Sequence, residues 1–238
     1  MKKAIIVGAS SGIGKGLSKL LVKNNYIVGI TGRRTNLLTE IKNENPERYI
    51  VKTFDITNTE SIPENLSELI EKLKGLDLFI ICAGVGEENL SLDFEIEKRI
   101  INTNVLGFTA ITDWVYKYFE NQKFGHLVAI TSIAGLRGSS KSPSYNASKA
   151  FEHRYLEGLR QKAHKLKLPI TITDVRPGFV DTAMAIASKL FWVASVDKAT
   201  RQIYRAIKHK RNIIYITKRW KIIAIMLKLI PNYIYYRR

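Results

Sequence analysis

The chain holds a single cysteine, Cys82, among 238 residues. One thiol excludes an internal disulfide and fits a reducing cytoplasm, the expected location. The four histidines (His126, His153, His164 and His209) show no paired ligand spacing, so no metal site is expected. Long hydrophobic runs are missing as well. The apolar stretch after Met1-Lys2-Lys3 is too short for a signal peptide and reads as a first strand. No internal repeat, low-complexity run or long linker divides the sequence, so one domain is expected. Acidic residues are absent from the C-terminal end. From Lys198 onward there are twelve Lys or Arg and no Asp or Glu, so of the net charge of +17 the first 197 residues carry only +5. The basicity belongs to the tail, and no nucleic-acid-binding surface is expected.

What is present is a regular alternation. Short apolar runs at 4–7, 26–30, 49–54, 76–81, 126–131, 170–175 and 213–216 are separated by helical patterns. Near-continuous apolar strands between helices predict a mostly parallel sheet covered on both faces, an α/β doubly wound fold. Ligands of such folds sit beyond the carboxyl ends of the strands.

The first strand runs into Gly8-Ala9-Ser10-Ser11-Gly12-Ile13-Gly14, and helical spacing follows at Leu17, Leu20 and Leu21. Glycines between strand and helix let the backbone approach a pyrophosphate, which then meets the free N–H groups of the helix start. The spacing is Gly-x-x-x-Gly-x-Gly, not the commoner Gly-x-Gly-x-x-Gly. The second strand ends in Thr31-Gly32-Arg33-Arg34. A dinucleotide fold selective for NAD usually places an acid here, whereas arginine accommodates the 2′-phosphate of NADP. Residues 30–35 hold two arginines and no acid, so NADP(H) is the expected cofactor and NAD(H) the alternative.

Later strand ends continue the pattern. Asp55, followed by Ile56, either accepts a hydrogen bond from an adenine amino group or belongs to the turn that begins the next helix. Ala83 and Gly84 are small enough for a flat ribose or base to lie on the backbone, and Cys82 before them reads as a buried small residue, not a nucleophile. Asn104 falls in a helical region from Asp93 to about Phe119, where its amide needs a partner, and Gly107 marks a candidate distortion. After the sixth strand, Pro177, Gly178, Val180 and Thr182 would line the nicotinamide end of the pocket.

The segment Tyr145-Asn146-Ala147-Ser148-Lys149 reads as the start of a helix, capped by Ser142, with Pro143 at its first position and apolar residues at Ala147, Phe151, Tyr155 and Leu159. Four residues apart, Tyr145 and Lys149 share one face. A free phenol has a pKa near ~10. An ammonium at about 4 Å favours the phenolate by ~4 kcal/mol at an effective dielectric near ~20, or roughly three pKa units. Such a tyrosine can exchange a proton with a hydroxyl or carbonyl near neutral pH. The pair alone also suits a surface tyrosine beside a solvated lysine. Ser132, at the end of the fifth strand, can be brought beside the ring to hydrogen-bond a substrate oxygen.

Together, Gly8-x-x-x-Gly12-x-Gly14, Asp55, Ala83-Gly84, Asn104, Ser132, Tyr145-x-x-x-Lys149 and Pro177-Gly178 resemble, in order and spacing across residues 3 to 216, the single-domain branch of the short-chain dehydrogenase/reductase family. The resemblance implies a Rossmann-type sheet of seven strands and hydride transfer between NADP(H) and a carbonyl/alcohol pair. It makes Tyr145 the general acid/base and Ser132 the group that positions the substrate oxygen. Lys149 lowers the tyrosine pKa and binds the nicotinamide ribose, and Asn104 holds a water that relays protons from Lys149 to solvent. Cys82 departs from the family's usual asparagine. The resemblance also implies a substrate lid at 183–196, whose Met184, Leu190, Phe191 and Trp192 suit either a hydrophobic ketone or alcohol or ordinary packing. A homodimer or homotetramer through helices near 95–120 and 143–165 is implied as well. A cofactor-binding scaffold or redox sensor without turnover is the competing reading, and the complete set of Asn104, Ser132, Tyr145 and Lys149 argues against it.

Residues 217–238 form a separate basic tail. Lys218, Lys221 and Lys228 fall near one helical face with apolar residues around the rest, in a run far short of the ~20 residues that span a bilayer. Such a helix either lies on an anionic membrane surface, here the inner one, or packs on the domain or a partner subunit.

Overall fold

A computed structural model describes residues 1–182 and 191–237. Residues 183–190 of the expected lid, with Met184 and Leu190, lie outside the described residues. The strands are β1 (Lys2–Val7), β2 (Tyr26–Gly32), β3 (Tyr49–Thr53), β4 (Leu78–Ile81), β5 (Gly125–Ile130), β6 (Ile170–Pro177) and β7 (Ile213–Ile216). They form one seven-stranded sheet in the order β3-β2-β1-β4-β5-β6-β7, every pair parallel, as the alternating pattern predicts.

Alternate residues of each strand feed opposite layers. Ile5, Val7, Phe79, Ile81 and Leu127 face one core with Leu66, Leu69, Ile111, Val115 and Phe119. Ala4, Ile6, Val28, Ile30, Ile80 and Val128 face the other with Leu17, Leu21, Leu38 and Ile203. A strand buried on both sides has no solvent face, which is why these runs lack a polar alternation. Each fully buried Ile, Leu or Phe contributes about 1.5–3 kcal/mol relative to exposure.

The helices that cover the sheet are α1 (Gly12–Lys23), α2 (Thr35–Glu44), α3 (Ile62–Leu73), α4 (Phe94–Ile101), α5 (Phe108–Gln122), α6 (Pro143–Lys165), α7 (Val196–Lys208), α8 (Lys218–Leu229) and α9 (Asn232–Tyr235). Asp93 caps α4 by accepting from Glu95 N at 2.9 Å. A π-helical turn, Asn102–Gly107, joins α4 to α5, the distortion expected at Gly107, where a Cβ would lie 2.7 Å from Ile56 O. Pro143 opens α6 as expected, but Ser142 does not cap it. Asn146 Nδ2 donates to the backbone carbonyls of Ala134 and Arg137 at 2.9 and 2.7 Å, and the Ser142 hydroxyl donates to the side-chain Oδ1 of Asn146 at 3.4 Å.

Strand order reverses between β2 and β4 on either side of β1, so the crevice at the carboxyl end of β1 is the switch point where this architecture binds ligands.

His126 on β5 is buried against Thr173 Oγ1 at 2.8 Å, and burial pushes its imidazole down to about 4 from an ordinary 6.5. Between those values the unfolded chain binds a proton that the folded chain refuses, so acid favours unfolding. The melting temperature is expected to fall as pH drops from 6.5 towards 4, and His126→Gln is expected to flatten that fall. An unchanged slope in thermal denaturation of the variant would assign acid sensitivity to other groups.

Candidate active site

The glycine-rich turn sits at the crevice. Gly8 adopts φ +85°, and a Cβ there would lie 2.5 Å from Ala83 N; a Cβ on Gly14 would lie 2.1 Å from Gly8 O. No side chain fits either place, so β1, the start of α1 and the end of β4 approach at backbone distance. Ser11 precedes α1 without bonding its first-turn N–H groups, which leaves them for an anion. Thr182 closes the turn from the other side, its Cγ2 3.1 Å from a Cβ built on Gly12. Ile13 is half-buried beside the second core.

The residues expected at the adenosine end include two arginines that follow β2. Arg34 Nη2 donates to Ser10 Oγ at 2.7 Å and Ser11 Oγ at 2.8 Å, and its Nε donates to Ser10 Oγ at 3.2 Å. Arg33 lies 3.6 Å from Asp55 Oδ2. Asp55 Oδ1 accepts from Thr57 N at 3.0 Å, so Asp55 does belong to the turn, with one oxygen left towards Arg33. Arg33, Asp55, Thr57, Lys98, Asn102 and Thr103 share a cleft of about 260 Å³. Two guanidinium groups and two serine hydroxyls on one rim fit a phosphate monoester. Ile56 turns its side chain into the core and leaves its backbone against Gly107.

At the other end, α6 presents Tyr145 and Lys149. The Lys149 ammonium is buried and stands 5.8 Å from the centre of the Tyr145 ring. Gly86 covers that ring, where a Cβ would come within 2.9 Å of Cε2. Gly84 lies where a Cβ would meet Lys149 Nζ at 3.3 Å and Asn104 Oδ1 at 3.4 Å, which brings three of the expected residues to one point. Asn104 is fully engaged: Oδ1 accepts from Val85 N at 2.9 Å, and Nδ2 donates to Val85 O at 2.8 Å and Ser148 Oγ at 3.1 Å. This fixes the chain after β4 to α6. Ser132 lies just past the end of β5, half-buried, and accepts from Ala134 N at 3.1 Å. Its loop, Ile133–Leu136, is clamped to α6 by the two Asn146 bonds and by Gly135 against the Lys149 backbone. Pro177 ends β6, Gly178 N donates to Ile216 O at 2.7 Å, and Val180 is buried and bridged to Ala194.

Sequence reasoning missed the charge behind Lys149. Glu152 accepts from Lys149 Nζ through both oxygens, at 2.7 and 3.0 Å, and is itself buried. Burial works against the charge on Lys149, but Glu152, Tyr145 and Asp174 outweigh it and hold the amine above its ordinary value. Burial pushes the Glu152 carboxyl up to about 7 against the pull of Lys149. Asp174 on β6 pairs with Arg176 at 2.6 Å and accepts from Thr131 Oγ1 at 2.6 Å. His153 reaches Thr131 Oγ1 at 3.2 Å, and burial lowers its imidazole to about 4, so it is neutral at pH 7. The i, i+3 spacing of Lys149 and Glu152 is visible in the sequence, but a surface pair has the same spacing. Cys82 has an apolar setting that pushes its thiol far up, which removes it as a nucleophile.

The family model for short chain dehydrogenases matches residues 2–190. An uncharacterized oxidoreductase of Myxococcus xanthus is 33% identical over 188 residues, 77% of this chain and 74% of that protein. Another, from Mycobacterium tuberculosis, is 31% identical over 207 residues, 84% of this chain and 81% of its own length. Among solved structures, a short chain dehydrogenase from Burkholderia cenocepacia in complex with NADP superposes with a TM-score of 0.85 over 100% of this chain and 98% of its own, at 23% identity. A short chain dehydrogenase/reductase from Burkholderia phymatum in complex with NAD gives 0.88 over 100% and 95% at 18% identity. The structural likenesses confirm the fold, and the sequence relatives carry the kinship: the chain belongs to the short-chain dehydrogenase family and is an oxidoreductase that transfers hydride.

Proposed function

We propose that this enzyme interconverts a carbonyl and a secondary alcohol with NADP(H), using Tyr145 as general acid/base. The observation that carries the reading is the buried ammonium of Lys149 beside the Tyr145 ring at the switch-point crevice. The nicotinamide supplies or accepts the hydride. The Tyr145 hydroxyl gives its proton to the substrate oxygen on reduction and takes one back on oxidation. Lys149 stabilises the phenolate left on Tyr145 when its proton is given up and offers a donor to the nicotinamide ribose. Ser132 holds the substrate oxygen by a hydrogen bond, and the backbone of Asn104 in the π-helical turn, its side chain being taken up by Val85 and Ser148, orders the water that returns protons. Gly8, Ser10, Ser11, Gly12, Ile13 and Gly14 hold the pyrophosphate, and Arg33 and Arg34 the 2′-phosphate. Asp55 and Ile56 border the adenine, Ala83 and Gly84 the ribose, and Pro177, Gly178, Val180 and Thr182 the nicotinamide.

Phe191 and Trp192 beside the site favour a hydrophobic substrate, and half of each ring is open to solvent. Ile101 and Leu106 before α5 and Phe151 on α6 are exposed apolar side chains on the helices expected to pair, which supports a homodimer or homotetramer. A reducing cytoplasm is the proposed location.

Tyr145→Phe is expected to bind NADPH normally and lose about 10²–10⁴-fold in NADPH-dependent ketone reduction, the span of general acid–base catalysis. Full activity would remove the tyrosine from proton transfer. Arg34→Ala is expected to weaken NADPH by about 10- to 100-fold, as for loss of a charged hydrogen bond, with little effect on NADH; fluorescence titration with both cofactors reads this, and equal losses would overturn it. For Glu152 the folded chain holds a proton that the unfolded chain releases between pH 4.5 and about 7, so this carboxyl costs stability as pH rises through that window. Glu152→Gln removes this titration, so whatever its offset from losing the counter-charge, its stability is expected to fall less than the parent protein's as pH rises from 4.5 to 7. A pH-independent difference in melting temperature would place that proton elsewhere.

A further inference from the structure

Catalysis leaves the C-terminal segment unexplained, although it is firmly seated. On its inner face Trp220 and Ala224 are buried. Trp220 stands edge-on to Phe179 at 5.3 Å and fills the space left by Gly178, where a Cβ would lie 2.0 Å from the indole. Arg137 grips the end of α8 and the start of α9. It donates to Ile230 O at 3.1 Å and Asn232 Oδ1 at 2.9 Å and lies 4.3 Å over the Tyr235 ring.

The outer face is unlike an ordinary solvated helix. Ile222, Ile225, Met226 and Leu229 form a contiguous ridge at i, i+3 and i+4 spacing and are 50–74% exposed. Exposed lysines, Lys221 and Lys228, flank the ridge on one side and Arg219 on the other, with Lys218 at its start. Arg219 lies 5.9 Å over Trp192, itself 45% exposed, and Tyr233 and Tyr236 extend the patch. No acidic residue occurs from Lys198 to the end.

We propose that the outer face of α8 and α9 docks the folded enzyme on an anionic lipid bilayer. The ridge enters the boundary between headgroups and acyl chains, and the basic side chains reach back to the lipid phosphates, as lysine and arginine do at such boundaries. Charge decides between this occupant and a second copy: a twofold contact through this face would set its basic rim against itself. A polyanion without an apolar phase would leave the ridge in water. At twelve residues α8 is too short to cross, and no described helix is long and apolar enough to do so.

The test is co-sedimentation of the full chain with phosphatidylcholine vesicles, with and without phosphatidylglycerol, at physiological salt. The protein is expected to partition only onto the anionic vesicles. Near an anionic surface each basic residue contributes about fivefold. Lys218→Gln, Lys221→Gln and Lys228→Gln together are therefore expected to reduce partitioning on the order of a hundredfold. Ile222→Ser, Ile225→Ser and Leu229→Ser together are expected to lose binding although every charge remains. NADPH binding and size-exclusion elution of both variants should match the parent protein, which separates lost docking from misfolding and from failure of the catalytic reading. Three results overturn the proposal: equal binding to neutral vesicles, unchanged binding by the serine variant, or an oligomer in the parent protein that the serine variant loses.

Discussion

Burying a lysine ammonium is tolerable only if a counter-charge is buried with it, and the catalytic half of this protein is arranged around that requirement. Desolvation costs several kcal/mol per ion unless geometry and further hydrogen bonds offset it. Glu152 supplies the counter-charge through both carboxylate oxygens. A second pair, Asp174 with Arg176, lies on β6, and the charge of Asp174 is felt by both members of the first. The inner face of α6 is accordingly polar: Ser144, Asn146, Ser148, Lys149, Glu152 and His153 are all buried there. The apolar clusters on the two faces of the sheet, to which α6 adds Leu156 and Ala163, carry the stability that these polar residues do not.

Backbone closeness does the corresponding work at the cofactor end. Gly8 and Gly14 leave no room for a side chain between β1, β4 and α1. Whatever lies there meets N–H groups and hydroxyls, and the arginines stand at the rim. Arg34 is already bonded to Ser10 and Ser11, so the rim is preorganised for a phosphate, at the cost of one charged side chain held in place.

How much of this was legible in the sequence follows from periodicity. The strands were legible because two-sided burial leaves an unbroken apolar run, which carries no information about their order in the sheet. Several candidate site residues could be proposed because they follow strand ends, whereas Tyr145 and Lys149 on α6 and Asn104 in the π-helical turn were told from ordinary surface or interior residues only by the resemblance. Glu152 was not, since Lys-x-x-Glu on a helix reads the same whether buried or solvated, and only the sheet behind α6 decides. Asn146 was hidden for the same reason, and its grip on the loop after Ser132 is what displaces Ser142 from the cap. The tail offered two readings, packing on the domain or lying on a membrane, and α8 has a face for each: Trp220 and Ala224 turn inward while Ile222, Ile225 and Leu229 turn out.

The two faces of α8 also join the tail to the chemistry. The loop that carries the chain from Ser132 to Tyr145 contains Arg137, and Arg137 is the residue that holds the junction of α8 and α9. Tyr235 returns the contact by donating to Gly138 O at 2.5 Å. Trp220 packs under Gly178 and against Phe179, in the turn expected to face the nicotinamide. One segment thus braces two walls of the site from behind. A surface that immobilises α8 would immobilise the turn at Gly178 and the loop at Arg137 with it.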